Sequence, residues 1–232
     1  MSNESQRVLL VFAHPDDPEY FCGATLAKWA RAGKEIRYLL LTSGEKGIDD
    51  STLTPEMVGA IRQAEQCEAA QVIGAKEVAF LKYCDGEVVN TSEVRREIVR
   101  EIRRFRPPII VTSDPTTYFH ENTYVNHTDH LTAGTAALQA AWPAAGNGRY
   151  FPELLKDGLE PYSPQQVWLA LTNQPNTSVD VTDTIDIKIA ALLKHKSQIN
   201  ESSEELAKHI RGRLRRPIWQ VHRERFRVIR LA

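Results

Sequence analysis

The chain has 232 residues, with 29 lysines and arginines against 30 aspartates and glutamates, and a formal net charge of −1. That balance gives no electrostatic footprint for nucleic acid or an anionic membrane surface as a partner. The length suits one domain over 1–232 with its own core, and three cysteines without CxxC spacing (Cys22, Cys67, Cys84) read as buried free thiols, not as a disulfide or zinc framework. Residues 1–7 are polar and the apolar run behind them has only a strand's length. No leader is expected, and the location expected is cytoplasmic. Nothing approaches the roughly 20 apolar residues of a membrane helix.

Taken in order, the apolar run predicts a first strand over 8–13. Behind it stands Ala13-His14-Pro15-Asp16-Asp17-Pro18-Glu19, an imidazole and two adjacent carboxylates between prolines that make the exit tight. A helix follows over 18–32, with Gly33 placed for a left-handed cap. Strand 36–42 runs into the glycine-containing loop 43–47. Thr54 and Pro55 open a helix whose apolar residues Met57, Ile61, Ala64 and Cys67 predict the face that packs on a sheet. After a short strand over 78–81, Asn90 and Glu93 have capping-box spacing. They precede a helix with the stripe Val94, Ile98, Ile102 and Phe105, stopped by Pro107-Pro108.

Strand 109–112 ends in Asp114-Pro115, and a helix from His127 turns Leu131, Leu138 and Trp142 inward. Beyond the loop 144–163 come strands 166–171 and 178–181 and a helix carrying Ile185, Ile189, Leu192 and Ile199. A polar helix and a closing strand, 226–229, occupy 201–232. Strands alternating with helices predict an α/β, Rossmann-like fold with a mainly parallel sheet covered on both faces. Sites in such folds gather at the carboxyl ends of strands. No GxGxxG follows the first strand, which counts against a dinucleotide.

In the turn after the first strand, His14 and Asp17 can fold back onto one point as two metal ligands, leaving Asp16 free for proton transfer. Far downstream, His127-Thr128-Asp129-His130 places two histidines three residues apart on one face of a helix start. Together these motifs resemble the PIG-L/LmbE family of zinc-dependent N-deacetylases. That family carries AHPDDxE after its first strand and HxDH opening a later helix, and Thr128 stands here where proline is common. The likeness extends to Thr42-Ser43-Gly44-Glu45-Lys46-Gly47, to Arg62-x-x-Glu65 and to Ser113-Asp114-Pro115. It weakens over 144–163 and 201–217.

The resemblance implies hydrolysis of an N-acetyl group on a small-molecule amino-sugar conjugate. His14, Asp17 and His130 would hold zinc, although iron(II) or cobalt would also suit such donors. Asp16 would be the general base. His127 would stabilise the oxyanion or protonate the amine, and Asp129 would accept a hydrogen bond from His127 to hold its tautomer. Arg62 and Asp114 match substrate-contacting positions, whereas Glu19, a first-turn helix acid, needs no catalytic role. The loop 144–163 is expected to form the pocket rim. Tyr118, His120 and Tyr124 lie in a loop ahead of the HxDH helix, where each could add a polar contact. His195, His209 and His222 read as surface or core residues. Homo-oligomers are common in the family. The rival readings are an amidase for a thiol-conjugate amide and a metal- or sugar-binding protein without catalysis.

Overall fold

The computed structural model describes residues 6–120, 122–216 and 221–231. Its centre is β1 (Arg7–Phe12), an apolar strand whose alternate residues face two different cores. In chain order follow α1 (Asp17–Arg31), β2 (Glu35–Thr42), α2 (Pro55–Ile73), β3 (Glu77–Tyr83), α3 (Ser92–Phe105) and β4 (Ile109–Ser113). A small hairpin, β5 (Phe119–His120) and β6 (Tyr124–Val125), precedes α4 (Thr128–Gln139), which runs on into a π-helical turn, Ala140–Ala144. The rest comprises α5 (Glu153–Lys156), β7 (Gln166–Ala170), β8 (Thr177–Asp180), α6 (Ile185–Leu192), α7 (Ser203–Leu214), β9 (Arg215–Arg216) and β10 (Val221–Arg230).

The sheet order is β3-β2-β1-β4-β7-β10-β8. The first five strands are mutually parallel, with Val8 opposite Ile36 on one side and Ile109 on the other. β10 and β8 close the sheet with antiparallel pairing. Period-two alternation splits the core. Leu9, Val11, Leu39 and Leu41 pack under α3 and α4, while Val8, Leu10, Phe12, Ile36, Tyr38 and Leu40 pack under α1, α2 and α6. Strand order reverses direction between β1 and β4, so a crevice opens beyond their carboxyl ends. No helix among the described residues is long and apolar enough to cross a membrane.

Several local expectations are corrected. On α2, Met57, Ile61, Ala64 and Cys67 are exposed, and the buried face is Val58, Gly59, Arg62, Gln66, Ala69, Ala70 and Ile73. Apolar spacing pointed to the wrong side because this helix buries two polar residues against the turn after β1. The helix α3 is capped by Thr91, whose hydroxyl accepts from Val94 N, and not by Asn90. On α4 the small residues Ala133, Gly134, Ala136 and Ala137 are buried, Leu131 and Leu138 only partly so, and Trp142 is exposed. A Cβ on Gly134 would come within 2.3 Å of Ser113 O, so the helix lies directly on the backbone after β4. Ile199 falls beyond the end of α6. Of the three thiols only Cys22 is buried.

The segment 144–163 does not rim the crevice. Arg103 reaches from α3 and donates to the carbonyls of Ala144, Ala145, Asn147 and Tyr150. Leu154 enters the core beneath α3 and α4. Four carbonyls held by the Nε and Nη2 donors of one buried guanidinium give this segment a fixed place on that side of the sheet.

Candidate active site

The turn after β1 is built by its own carboxylate. Asp17 Oδ2 accepts from Ala13 N and His14 N at 3.2 and 2.9 Å, which folds the chain back at the strand end. Asp17 then starts α1 with Pro18 in the first turn. Opposite, His127 caps α4: its Nδ1 accepts from Asp129 N at 3.2 Å. One turn on, His130 projects toward the β1 turn.

These elements bring three donor atoms together. His14 Nδ1 lies 3.2 Å from His130 Nε2, His130 Nε2 is 3.0 Å from Asp17 Oδ1, and His14 Nδ1 is 3.6 Å from Asp17 Oδ2. Bonds of about 2.0–2.1 Å at a tetrahedral angle space ligand atoms about 3.4 Å apart, so the set fits a metal ion. The far ring nitrogens are already oriented. His130 Nδ1 is 2.9 Å from Asn126 Oδ1. His14 Nε2 lies 3.0 Å from Asp85 Oδ1 and 3.3 Å from Asp129 Oδ2. With those nitrogens donating, the lone pairs of His14 Nδ1 and His130 Nε2 converge, as ligation requires. A second grouping of His14, Asp85 and His127 has ligand spacing, but its His14–Asp85 contact faces a donor to an acceptor and orients the ring.

The charges agree with this geometry. Burial opposes ionisation of Asp17, yet His130 and His14 outweigh it and hold the carboxyl well below its usual range. Burial likewise opposes charge on His14, but Asp129, Asp17 and Asp85 hold its imidazole protonated well above the ordinary value. Metal entering this site therefore displaces a proton. Burial, followed by His14 and His130, pushes His127 down. It is thus a neutral ring, with Nδ1 accepting from the backbone and the proton on Nε2.

Asp16 stands apart from the ligand set. Its φ of 92° is left-handed, a conformation that costs a non-glycine residue about 1–3 kcal/mol. Burial and the neighbouring Asp17 raise its carboxyl to about 6, against the lowering effect of Arg62. Arg62 is itself buried and spends its guanidinium on Gly44 O, Pro15 O and Asp16 Oδ2 at 2.9, 2.8 and 3.2 Å. Gly44 and Gly47 make room for that side chain, since a Cβ on either would overlap it.

Two expected assignments change, those of Asp129 and Asp114. Asp129, fully buried, does not receive a hydrogen bond from His127; its carboxylate takes Gly86 N and Val88 N and faces His14. Arg62 borders the cavity while it bonds backbone and Asp16. Asp114 is wholly buried under Thr116 and Thr172 and has no surface on the cavity. Glu19 is buried also, bonded to Gln66 and facing His195 at 3.4 Å. The sequence reading missed Asp85 and Asn126. Asp85 follows β3 at its carboxyl end, and Asn126 sits four residues before His130; those positions were the available signals.

A cavity of about 1010 Å³ opens over the donor set, the upper end of the range for small-molecule sites. Asp16, Asp17, His127 and His130 form its floor, and His120 and Tyr124 of the hairpin stand on one side. Phe21 lies edge-on to His130, Tyr20 edge-on to Phe21, and Arg213 stacks over Tyr20. His209 borders this far end, whereas His195 is buried and His222 partly so.

A family model described as PIG-L, GlcNAc-PI de-N-acetylase, matches residues 9–141. Diacetylchitobiose deacetylase of Thermococcus kodakarensis is 35% identical over 204 residues, covering 88% of this chain and 74% of that one. A 1D-myo-inositol 2-acetamido-2-deoxy-alpha-D-glucopyranoside deacetylase of Rhodococcus erythropolis is 28% identical, covering 86% and 83%. The structure of N,N'-diacetylchitobiose deacetylase from Pyrococcus horikoshii superposes with a TM-score of 0.88 at 29% identity, over 98% of this chain and 85% of that one.

Proposed function

The chain belongs to the PIG-L family, and on that premise we propose that it is a zinc-dependent N-deacetylase. It hydrolyses the acetamide of a small N-acetylglucosamine-type conjugate. The observation that carries this reading is the convergence of His14 Nδ1, Asp17 and His130 Nε2 within 3.0–3.6 Å beside Asp16 and His127. Zinc held there would lower the pKa of a water and polarise the acyl oxygen.

Asp16 does the proton work. A carboxyl raised to about 6 is largely ionised at neutral pH yet basic enough to take a proton from the attacking water. The acid so formed returns that proton to the nitrogen of the leaving amine. His127, neutral and with its proton on Nε2, donates to the oxygen as negative charge develops there. Asp129 and Asp85 fix His14, and Asn126 fixes His130. The cavity beyond Phe21 and Tyr20 supplies room for the rest of the conjugate. Aromatic faces followed by a guanidinium suit a second polar ring or group.

Acetate release should be measured on the zinc-loaded protein with N,N'-diacetylchitobiose, a methyl N-acetylglucosaminide and an N-acetylcysteine thioether. Turnover of the sugars and not of the thioether is expected. Turnover of the thioether alone would replace the reading with a thiol-conjugate amidase, and turnover of none would leave a binding protein.

A further inference from the structure

We propose that Gln66 is a positioning residue for Asp16, acting through a buried relay that runs on to Glu19 and His195. The inference rests on the reading of Asp16 as the base. One helix grips both polar ends of the peptide unit joining Pro15 to Asp16. Arg62 Nη2 donates to Pro15 O at 2.8 Å, and Gln66 Oε1 accepts from Asp16 N at 2.8 Å. Arg62 and Gln66 are four residues apart on α2 and share its buried face.

That grip fixes the peptide plane about which Asp16 turns. A φ of 92° at an aspartate persists only where its surroundings over-determine it. Without an acceptor for its N–H, Asp16 relaxes toward negative φ and its carboxylate leaves the cavity floor. The direction of the Gln66 amide is unambiguous. Its Nε2 donates to Glu19 Oε2 at 3.0 Å, and a flipped amide would set its oxygen against a carboxylate oxygen and its NH2 against the Asp16 N–H, two mismatched pairs. Glu19 is fully buried, and His195 Nε2, equally buried, lies 3.4 Å beyond it. Among the described residues His195 makes no hydrogen bond through either ring nitrogen. Its Nε2 is thereby left facing the Glu19 carboxyl. Gln66 does not border the cavity, so it reaches the chemistry only through Asp16. The acid that ends the AHPDDxE stretch thereby acts on the base through one intervening side chain.

Gln66→Leu keeps the side-chain bulk and removes both hydrogen bonds. On the zinc-loaded protein it should lower kcat for acetate release by about 10²-fold, the cost of an ångström-scale misplacement. KM should stay within about twofold, since ground-state binding is untouched, and zinc content should not change. Gln66→Glu alone sets two carboxylates face to face and should also be impaired. Combined with Glu19→Gln, it again offers an acceptor to Asp16 N and a donor from position 19. This swap should restore kcat to within about tenfold of wild type. Hydrogen exchange at the Asp16 amide in the metal-free proteins gives a readout independent of turnover. Protection should be lost in Gln66→Leu and regained in the swap.

Unchanged kcat or unchanged Asp16 protection in Gln66→Leu overturns the proposal, as does a swap no better than Gln66→Glu alone. If Gln66→Leu does not fold, the single and swapped variants decide. A wild-type protein that releases no acetate overturns the deacetylase reading, and the amide exchange then still tests the clamp.

Discussion

Asp129→Asn should weaken zinc binding by about tenfold, and Asp85→Asn should do the same, yet the two together should cost more than the product. His14 Nε2 has one proton and two carboxylate oxygens to receive it, at 3.0 and 3.3 Å. Losing such an oriented partner typically costs 10–100-fold in metal affinity, about 1.4–2.7 kcal/mol. With either carboxylate left in place the ring stays oriented, so each single change falls near the lower bound. With both gone, nothing holds Nδ1 toward the ligand set, and the loss passes the upper bound. Asp129→Asn has a further effect. Asp129 accepts from both Gly86 N and Val88 N, and an amide oxygen can replace only one of those acceptors. The unpaired buried donor should lower stability by about 1–3 kcal/mol. Zinc affinity is measured by competition against a fluorescent chelator at fixed pH, with thermal melting in parallel. Additive losses in the double variant would refute the shared-proton argument. So would a single Asp129→Asn change that empties the site as completely as loss of a ligand.

His127→Ala should keep its zinc and lose about 10²–10³-fold in kcat, because an oxyanion donor acts mainly in the transition state; a rise in KM alone would remove His127 from the chemistry. Asp16, with its carboxyl near 6, is ionised above that pH and protonated below it. Hence kcat/KM should fall on the acid side of about pH 6, in a limb shared with the metal's water, and that limb should shift or vanish in Asp16→Asn. A profile flat through that pH would contradict the assignment. Gly134→Ala should destabilise by about 1–3 kcal/mol, or roughly 2–4 °C of melting per kcal/mol for a chain of this size, because its Cβ meets Ser113 O at 2.3 Å. An unchanged melting temperature would mean that α4 can lift from β4.

The motifs that converge were readable because short, adjacent stretches build them. His14 and Asp17 share one turn, His127 and His130 one helix start, and the alternating strands placed both at the carboxyl edge. What escaped the sequence was the support. Asp85 and Gln66 act across distances of 71 and 50 positions in the chain, respectively, toward His14 and Asp16, and nothing local marks such pairs. The error on α2 has the same origin. Its buried side had to satisfy peptide groups of the β1 turn, so Arg62 and Gln66 displaced apolar residues from it. Asp114 looked like a site residue because it follows a strand, but its carboxylate is consumed by the turn it caps. Segment 144–163 was placed at the rim because the likeness is weakest there; the buried Arg103 gives it a different seat.

The division of labour between two neighbouring aspartates is the core of the account, and zinc content measured together with acetate release on Asp16→Asn and Asp17→Asn tests it most directly. Asp16→Asn should retain its zinc and lose about 10²–10⁴-fold or more in kcat, the range for general base catalysis. Asp17→Asn should fail to hold zinc, because a neutral amide replaces an anionic donor beside His14 and His130. Zinc lost from Asp16→Asn and retained by Asp17→Asn would contradict the account and exchange the two roles.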